Sequence, residues 1–262
     1  MPVAILIIFS YESNPKKFLP SAPYDFNYVY QWCKNFSTTF IITDMDINMK
    51  SIKSNMIIIN SYEDLLTGIY TILSKEIDFK LFIYYSGHGV HDSMVLPDNS
   101  LLPFVNLKRY IVEIIPEYTE IFWVLDCCNP NGLNLPCKLQ GERFVLSPNK
   151  VEFILQPVLL ITSSDSNEKS MSTKNGSLFT KYFFQHLLLM DKNSKIKEKN
   201  RNLRHLITTL TNSIKKDHPW YSQTISVYCS YFMDPLLWTW IGSKKNYDIV
   251  PDITMSTLVI RY

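Results

Sequence analysis

The sequence predicts an α/β fold around a mostly parallel central sheet. Short apolar runs rich in β-branched and aromatic residues recur along the chain and alternate with helical patterns of ten or more residues, as βαβ units require. Size agrees, because 262 residues with 46% hydrophobic and 19% charged content can bury the core of one large domain.

The expected strands are "VAILIIFS" (3–10), "TTFIIT" (38–43), "FKLFIYYS" (79–86), "EIFWVLD" (120–126), "PVLLITSS" (157–164) and "QTISVYCS" (223–230). The first belongs to the opening "MPVAILIIFS", which lacks a basic n-region and a small-residue cleavage site and is too short to span a bilayer, so it reads as a buried strand. Helices are expected over 25–36, 61–77, 107–115, 177–190 and 202–216, the second opening with Ser61 and Asp64 spaced for an N-cap with an acidic first turn. In 129–156, Gly, Pro and Asn break every period, and the stretch reads as a long loop of the kind that often carries function. Residues 1–241 are expected to form the domain and 242–262 an unassigned tail; there is no internal repeat.

Composition excludes several classes of function. A net charge of +2 with lysines spread along the chain argues against nucleic acid as the main partner. Five cysteines without regular spacing form neither a disulfide framework nor a zinc site, so no metal or other cofactor is expected. Seven glycines and no GxGxxG argue against a flavodoxin-like phosphate-binding domain. Free thiols suit a reducing compartment, and with no targeting or membrane segment visible the expected location is the cytoplasm. Abundant Asn, Ile, Lys and Tyr suggest AT-rich coding of a viral or parasitic kind, in which case the compartment is the host cytoplasm.

Two strands end in reactive groups. "LFIYYSGHGV" ends in Ser86, Gly87, His88 and Gly89, and "IFWVLDCCNP" in Asp126, Cys127, Cys128 and Asn129. Ligands of an open parallel sheet sit outside the carboxyl ends of its strands, so both ends are candidate walls of one site. The chain between them holds one crossover helix, "LKRYIVEII", which lets the two strands be neighbours and lets imidazole and thiol converge as a nucleophilic pair. His88 would activate a thiol that is otherwise mostly protonated at neutral pH. The N–H groups of Gly89 and Cys128 are candidate oxyanion donors. Side chains alternate along a strand, so Asp126 and Cys128 share one direction while Cys127 points inward as a small hydrophobe; Cys128 is the expected nucleophile. On spacing alone, a buried space-filling cysteine and a turn histidine remain the alternative. His91, His186, His205 and His218 carry no matching motif and read as structural or solvated.

At these residues the chain resembles the caspase-like cysteine peptidases. "YYSGHG" is similar to the group's strand and catalytic His-Gly, and "FWVLDCC" to its strand, Asp, any residue and catalytic Cys. "TSSDSNEKSMSTKNGSLFTKYFFQHLL" (162–188) resembles the later Ser-rich, acidic strand end that leads into a Leu-Phe-Thr helix. Among the branches the chain looks most like the paracaspases, through "FLPSAPYDFNYVYQWCKNF" (18–36) and "VLDCCNPN", with metacaspases next; caspases have Gln-Ala-Cys at the nucleophile.

The resemblance implies a caspase-like three-layer α/β/α sandwich and a cysteine endopeptidase in which Cys128 is the nucleophile and His88 the general base and acid. It implies cleavage after Arg or Lys, with Asp25 and Asp126 holding the basic P1 side chain and a third acid supplied by Glu168, ahead of Asp165. Each acid also has an ordinary reading: Asp25 as a helix cap, Asp126 as an acceptor of backbone N–H groups, Glu168 as a solvated loop charge. The implied partners are protein substrates and a second copy of the chain paired through an edge strand, for which "QTISVYCS" is the candidate. The alternative function is a catalytically weak or inactive module that regulates cell-death or immune signalling by binding partners.

Overall fold

The computed structural model describes residues 2–34, 36–45, 56–59, 61–74, 80–130, 132–147, 151–192 and 203–231. The expected tail, 242–262, lies outside the described residues.

The chain runs β1 (Val3–Ile8), α1 (Ala22–Cys33), β2 (Thr38–Thr43), β3 (Met56–Ile58), α2 (Tyr62–Leu73), β4 (Lys80–Ser86) and a small meander of β5 (Gly89–Val90), β6 (Ser93–Val95) and β7 (Leu101–Pro103). It continues through α3 (Phe104–Ile114), β8 (Glu120–Asp126), a hairpin of β9 (Cys137–Gln140) and β10 (Arg143–Leu146), then β11 (Val158–Thr162). The two-residue strands β12 (Ser172–Thr173) and β13 (Gly176–Ser177) lead into α4 (Leu178–Lys192), α5 (Leu203–Asp217) and β14 (Ser226–Cys229).

The central sheet has the order β10-β9-β14-β11-β8-β4-β1-β2-β3. Its six strands from β11 to β3 are parallel, and β14, β9 and β10 extend it antiparallel. Strand order reverses between β1 and β4, because the chain leaves β1 toward β2 on one side and later adds β4, β8 and β11 on the other. That is the switch point where α/β sheets place their ligands.

Alternation along the strands divides the core in two. Ala4, Leu6, Phe82, Tyr84, Phe122 and Val124 face a layer made by α1, α4 and α5. Ile5, Ile7, Ile83, Tyr85, Trp123 and Leu125 face α2 and α3. With both faces covered, the strands read as continuous apolar runs rather than alternating ones. The result is the three-layer sandwich that the sequence predicts. The Ser61 hydroxyl caps α2 by accepting the Asp64 N–H at 3.2 Å, as its spacing requires.

Two expectations are corrected. Residues 129–156 are not one long loop, because 137–146 form the β9–β10 hairpin around the two-residue turn Gly141–Glu142. This hairpin folds back against β14, setting Tyr228 opposite Lys138 and Cys229 opposite Cys137. "QTISVYCS" therefore supplies an interior strand, β14, which pairs along Ser226–Cys229 with β11 on one side and at Tyr228 and Cys229 with β9 on the other, and it is not the edge of the sheet. Among the described residues, no helix is long and apolar enough to cross a membrane.

α3 fastens the segment that follows the second reactive strand. The Lys108 side chain is fully buried, and its ammonium donates to the Leu133 carbonyl and the Glu152 carboxylate, each at 2.8 Å; Arg109 shares Glu152. Burial lowers the Lys108 pKa, and Glu152 opposes that shift by favouring the charged form. Removing the ammonium takes the donor from the Leu133 carbonyl and leaves Glu152 with Arg109 alone. Lys108→Ala is expected to cost about 3 kcal/mol in urea unfolding; a loss below about 1 kcal/mol, the range of an exposed pair, would show that the pair does not hold this segment.

Candidate active site

β4 and β8 pair in the register that sets Ser86 opposite Asp126, so the two reactive strand ends finish side by side. The Gly87 N–H reaches the Asp126 carbonyl at 3.4 Å. Beyond it, Gly89 lies directly on the peptide that carries the two cysteines: a Cβ at Gly89 would stand 2.0 Å from the Cys128 carbonyl oxygen and 3.0 Å from the Cys127 sulfur. Only glycine permits that approach.

The cysteines divide as strand alternation predicts. Cys127 is buried in the core beneath α2 and α3, and burial first, then the neighbouring Asp126 charge, push its thiol pKa well up, so it remains a protonated filler. Cys128 is half-buried, its sulfur 4.0 Å from the Ser170 carbonyl. The loop between β11 and β12 supports it from below. Ser163 and Ser164 donate to the Cys127 carbonyl at 3.5 and 3.1 Å, and the Asn129 N–H donates to the Glu168 carbonyl at 2.8 Å. Asn129 adopts φ 48°, a left-handed turn that asparagine tolerates better than most residues.

His88 is held through its ring. Its Nε2 lies 2.7 Å from the Lys17 carbonyl, on the turn that follows β1. A carbonyl only accepts, so Nε2 carries the proton and Nδ1 is left as the basic nitrogen. Val95 N–H donates to the His88 carbonyl at 3.0 Å, marking 88 and 95 as a hydrogen-bonded pair; the alternation of antiparallel pairs then makes Gly89 and Met94 the non-bonded pair and turns the Gly89 N–H away from β6.

Asp25 and Asp126 come together beneath this edge, 1% and 4% exposed. Asp25, in the first turn of α1, accepts the Ser177 N–H at 2.7 Å and the Ser86 hydroxyl at 3.0 Å. Asp126 accepts the Ser170 hydroxyl at 2.7 Å and the Thr180 hydroxyl, and Thr180 in turn accepts from Tyr84 at 2.6 Å. All of these donors are neutral. Among the described residues, no Lys, Arg or His pairs with either aspartate, and no cluster of side chains is arranged to hold a metal. Two further buried hydroxyls, of Ser177 and Tyr221, have no hydrogen-bond partner.

Glu168 is placed differently from the other two acids. Its carboxylate accepts the Thr224 N–H at 2.8 Å and the Thr224 hydroxyl at 2.9 Å, tying the β11–β12 loop to the approach of β14. Asp165 makes an ion pair with Lys138 of β9 at 2.7 Å and accepts the Tyr228 hydroxyl at 3.2 Å, so the hairpin braces the same loop. The supporting hydroxyls of Ser86, Ser170 and Thr180 are not distinguishable in sequence from other serines and threonines; only the fold brings them to the acids.

A family model described as a caspase domain matches residues 47–228, a span that contains both His88 and Cys128. The chain belongs to the caspase family. Among solved structures, it is similar to caspase-1 from Spodoptera frugiperda at 14% identity and a TM-score of 0.58, over 86% of this chain and 85% of that one, a likeness of fold. No curated protein sequence matches the chain.

In this caspase-family fold the paired acids carry an electrostatic cost. Burial first, and the Asp126 charge second, raise the Asp25 carboxyl well above the usual carboxylate range, against the hydrogen bonds from Ser177 and Ser86 that pull it down. The folded protein thus keeps a proton on Asp25 at pH values where the unfolded chain has released it, and the contribution of Asp25 to stability falls as pH rises above about 4. An asparagine carries no such charge, while its oxygen accepts from Ser177 and its amide donates to Ser86. Asp25→Asn is expected to be more stable than the parent at about pH 8, the advantage shrinking toward about pH 4 by at most about 1.4 kcal/mol per pH unit. Thermal unfolding across that range measures it; a variant less stable than the parent at the upper end would contradict the assignment.

Proposed function

We propose that the protein is a cysteine endopeptidase of the paracaspase or metacaspase type that cleaves after Arg or Lys. The observation that carries this reading is the pair of buried carboxylates, Asp25 in the first turn of α1 and Asp126 at the end of β8 two residues before Cys128, held only by neutral donors. Buried charge is tolerated when it is paired, and the missing partner here is a cation brought by the ligand. A guanidinium suits two carboxylates through charge-assisted hydrogen bonds, whereas an acidic side chain would be repelled. Glu168, committed to Thr224, adds negative potential from the rim.

Cys128 and His88 supply the chemistry. Nδ1 of His88 takes the thiol proton; the thiolate forms a bond to the scissile carbonyl carbon, and the charge moves to the carbonyl oxygen, where the N–H groups of Gly89 and Cys128 stabilise it. Collapse breaks the C–N bond, the imidazolium gives its proton to the departing amine, and a thioester remains. A water deprotonated by His88 hydrolyses that thioester, releasing the new carboxyl terminus and restoring the thiol. No cofactor takes part.

Fluorogenic peptides that differ only at P1 test the reading. The expected order is Arg, then Lys, with Asp uncleaved. Asp126→Asn is expected to lower kcat/KM on the Arg peptide about a hundredfold, or about 3 kcal/mol, because one partner of a desolvated charge pair is lost. Equal or faster cleavage after Asp would overturn the specificity. Cleavage that survives Cys128→Ala would overturn the catalytic assignment, and a partner-binding activity that survives it unchanged would favour a non-catalytic module.

A further inference from the structure

The grip on His88 extends beyond its ring, to a residue with no part in the chemistry above. In the β5–β6 register His88 faces Val95, and one rung between them is direct, from the Val95 N–H to the His88 carbonyl at 3.0 Å. The return rung is interrupted. The His88 N–H donates instead to the Tyr11 hydroxyl at 2.9 Å, and that hydroxyl donates onward to the Val95 carbonyl at 2.8 Å. A phenol from the turn after β1 thus replaces a backbone hydrogen bond and sits between the two strands.

The rest of the surroundings serve the same arrangement. The Tyr11 ring packs against the His88 imidazole, with ring centres 4.8 Å apart and an interplanar angle of 37°. Tyr85 donates to the His88 carbonyl at 2.7 Å, and its hydroxyl lies 3.4 Å from that of Tyr11, so both main-chain polar groups of His88 rest on phenols. Gly87 makes room for them: a Cβ there would stand 2.6 Å from the Tyr85 oxygen and 2.8 Å from the Tyr11 oxygen. Tyr11 itself is fully buried and holds φ at 58°, a conformation that is costly for an aromatic residue. Asp44 maintains it by accepting the N–H groups of Ser10 and Tyr11 at 2.7 and 2.6 Å. Strain of this kind persists where surrounding structure over-determines it, and it clusters at working sites.

We propose that Tyr11 is the positioning residue for His88: its hydroxyl, inserted in the β5–β6 ladder, sets the position at which the imidazole meets Cys128 and the departing amine. The proposal rests on the reading of His88 as general base and acid. Tyr11→Phe removes the hydroxyl and leaves the ring. The His88 N–H and the Val95 carbonyl can then close their direct rung only by drawing the His88 backbone toward β6, and small displacements of a proton-transfer group cost rate steeply.

The test compares two substrates with the same acyl portion, the peptide amide that the parent cleaves best and its p-nitrophenyl ester. Only the amine leaving group needs a proton from His88. Because His88 also deprotonates the thiol and the hydrolytic water with either substrate, single-turnover acylation is compared. Tyr11→Phe is expected to slow it about tenfold on the amide with substrate affinity unchanged, and less than about threefold on the ester, whose leaving group needs no proton. Asp44→Ala, which releases the Ser10 and Tyr11 N–H groups and leaves the Tyr11 side chain intact, is expected to show the same amide-selective loss and serves if Tyr11→Phe fails to fold. Equal losses on amide and ester, or the parent's acylation rate in a folded Tyr11→Phe protein while His88→Ala is inactive, would overturn the positioning role and leave the peptidase reading standing. Amide cleavage that survives His88→Ala would overturn the reading beneath it.

Discussion

β4 and β8 are joined rung by rung, from Lys80 opposite Glu120 to Ser86 opposite Asp126, and the proposed chemistry depends on that register. Because side chains alternate, it sends Asp126 to the α1 and α4 side, where Thr180 and Ser170 receive it, and Cys127 to the α2 and α3 side, where it fills core. It also brings the chain after β4 across the end of β8, so that Gly89 rests on the Cys128 carbonyl. A slip by one residue would turn the carboxylate into the apolar layer beneath α2 and α3, beside Ile83 and Tyr85 of β4, and turn Cys127 toward Asp25. The apolar rungs below Ser86 and Asp126 oppose such a slip, because each would lose its place in one of two fully covered core layers.

The register holds the site at the expense of stability. Placing Asp25 within electrostatic reach of Asp126, both almost dry, opposes folding at neutral pH. The neutral hydroxyls around them soften that cost without cancelling the charge, and this separates the proposed binding pocket from an internal ion pair. Lys108 and Glu152 offer the contrast within the same molecule. There the buried cation has its carboxylate at 2.8 Å, and the result is a fastening rather than a site.

Much of this is legible in the sequence. The parallel strands announce themselves as apolar β-branched runs, because burial on both faces leaves no position for a polar residue. The separation of Cys127 from Cys128 follows from alternation alone. The hairpin at 137–146 was harder to read, since Pro136 and Cys137 precede "KLQGERFVL" with no apolar alternation strong enough to mark strands. Its legible feature is the two-residue loop with glycine first, where Gly141 takes φ 60°. Without that hairpin β14 would be the edge of the sheet; with it, β9 and β10 lie beyond β14. Tyr11, Lys17, Ser86, Ser170 and Thr180 were illegible for another reason: a carbonyl, a phenol or a hydroxyl acquires its role only from the group opposite, and those partners lie far away in sequence.

The central claim joins one thiol to one pair of acids, and covalent labelling tests both at once. Intact protein is treated with peptidyl chloromethylketones that present arginine or aspartate to the pocket, and the modified cysteine is located by tandem mass spectrometry. An adduct on Cys128 is expected from the arginine reagent, little from the aspartate reagent, and loss of the arginine adduct in Asp25→Asn/Asp126→Asn protein. Labelling of Cys127, or equal labelling of Cys128 by both reagents, would contradict the claim.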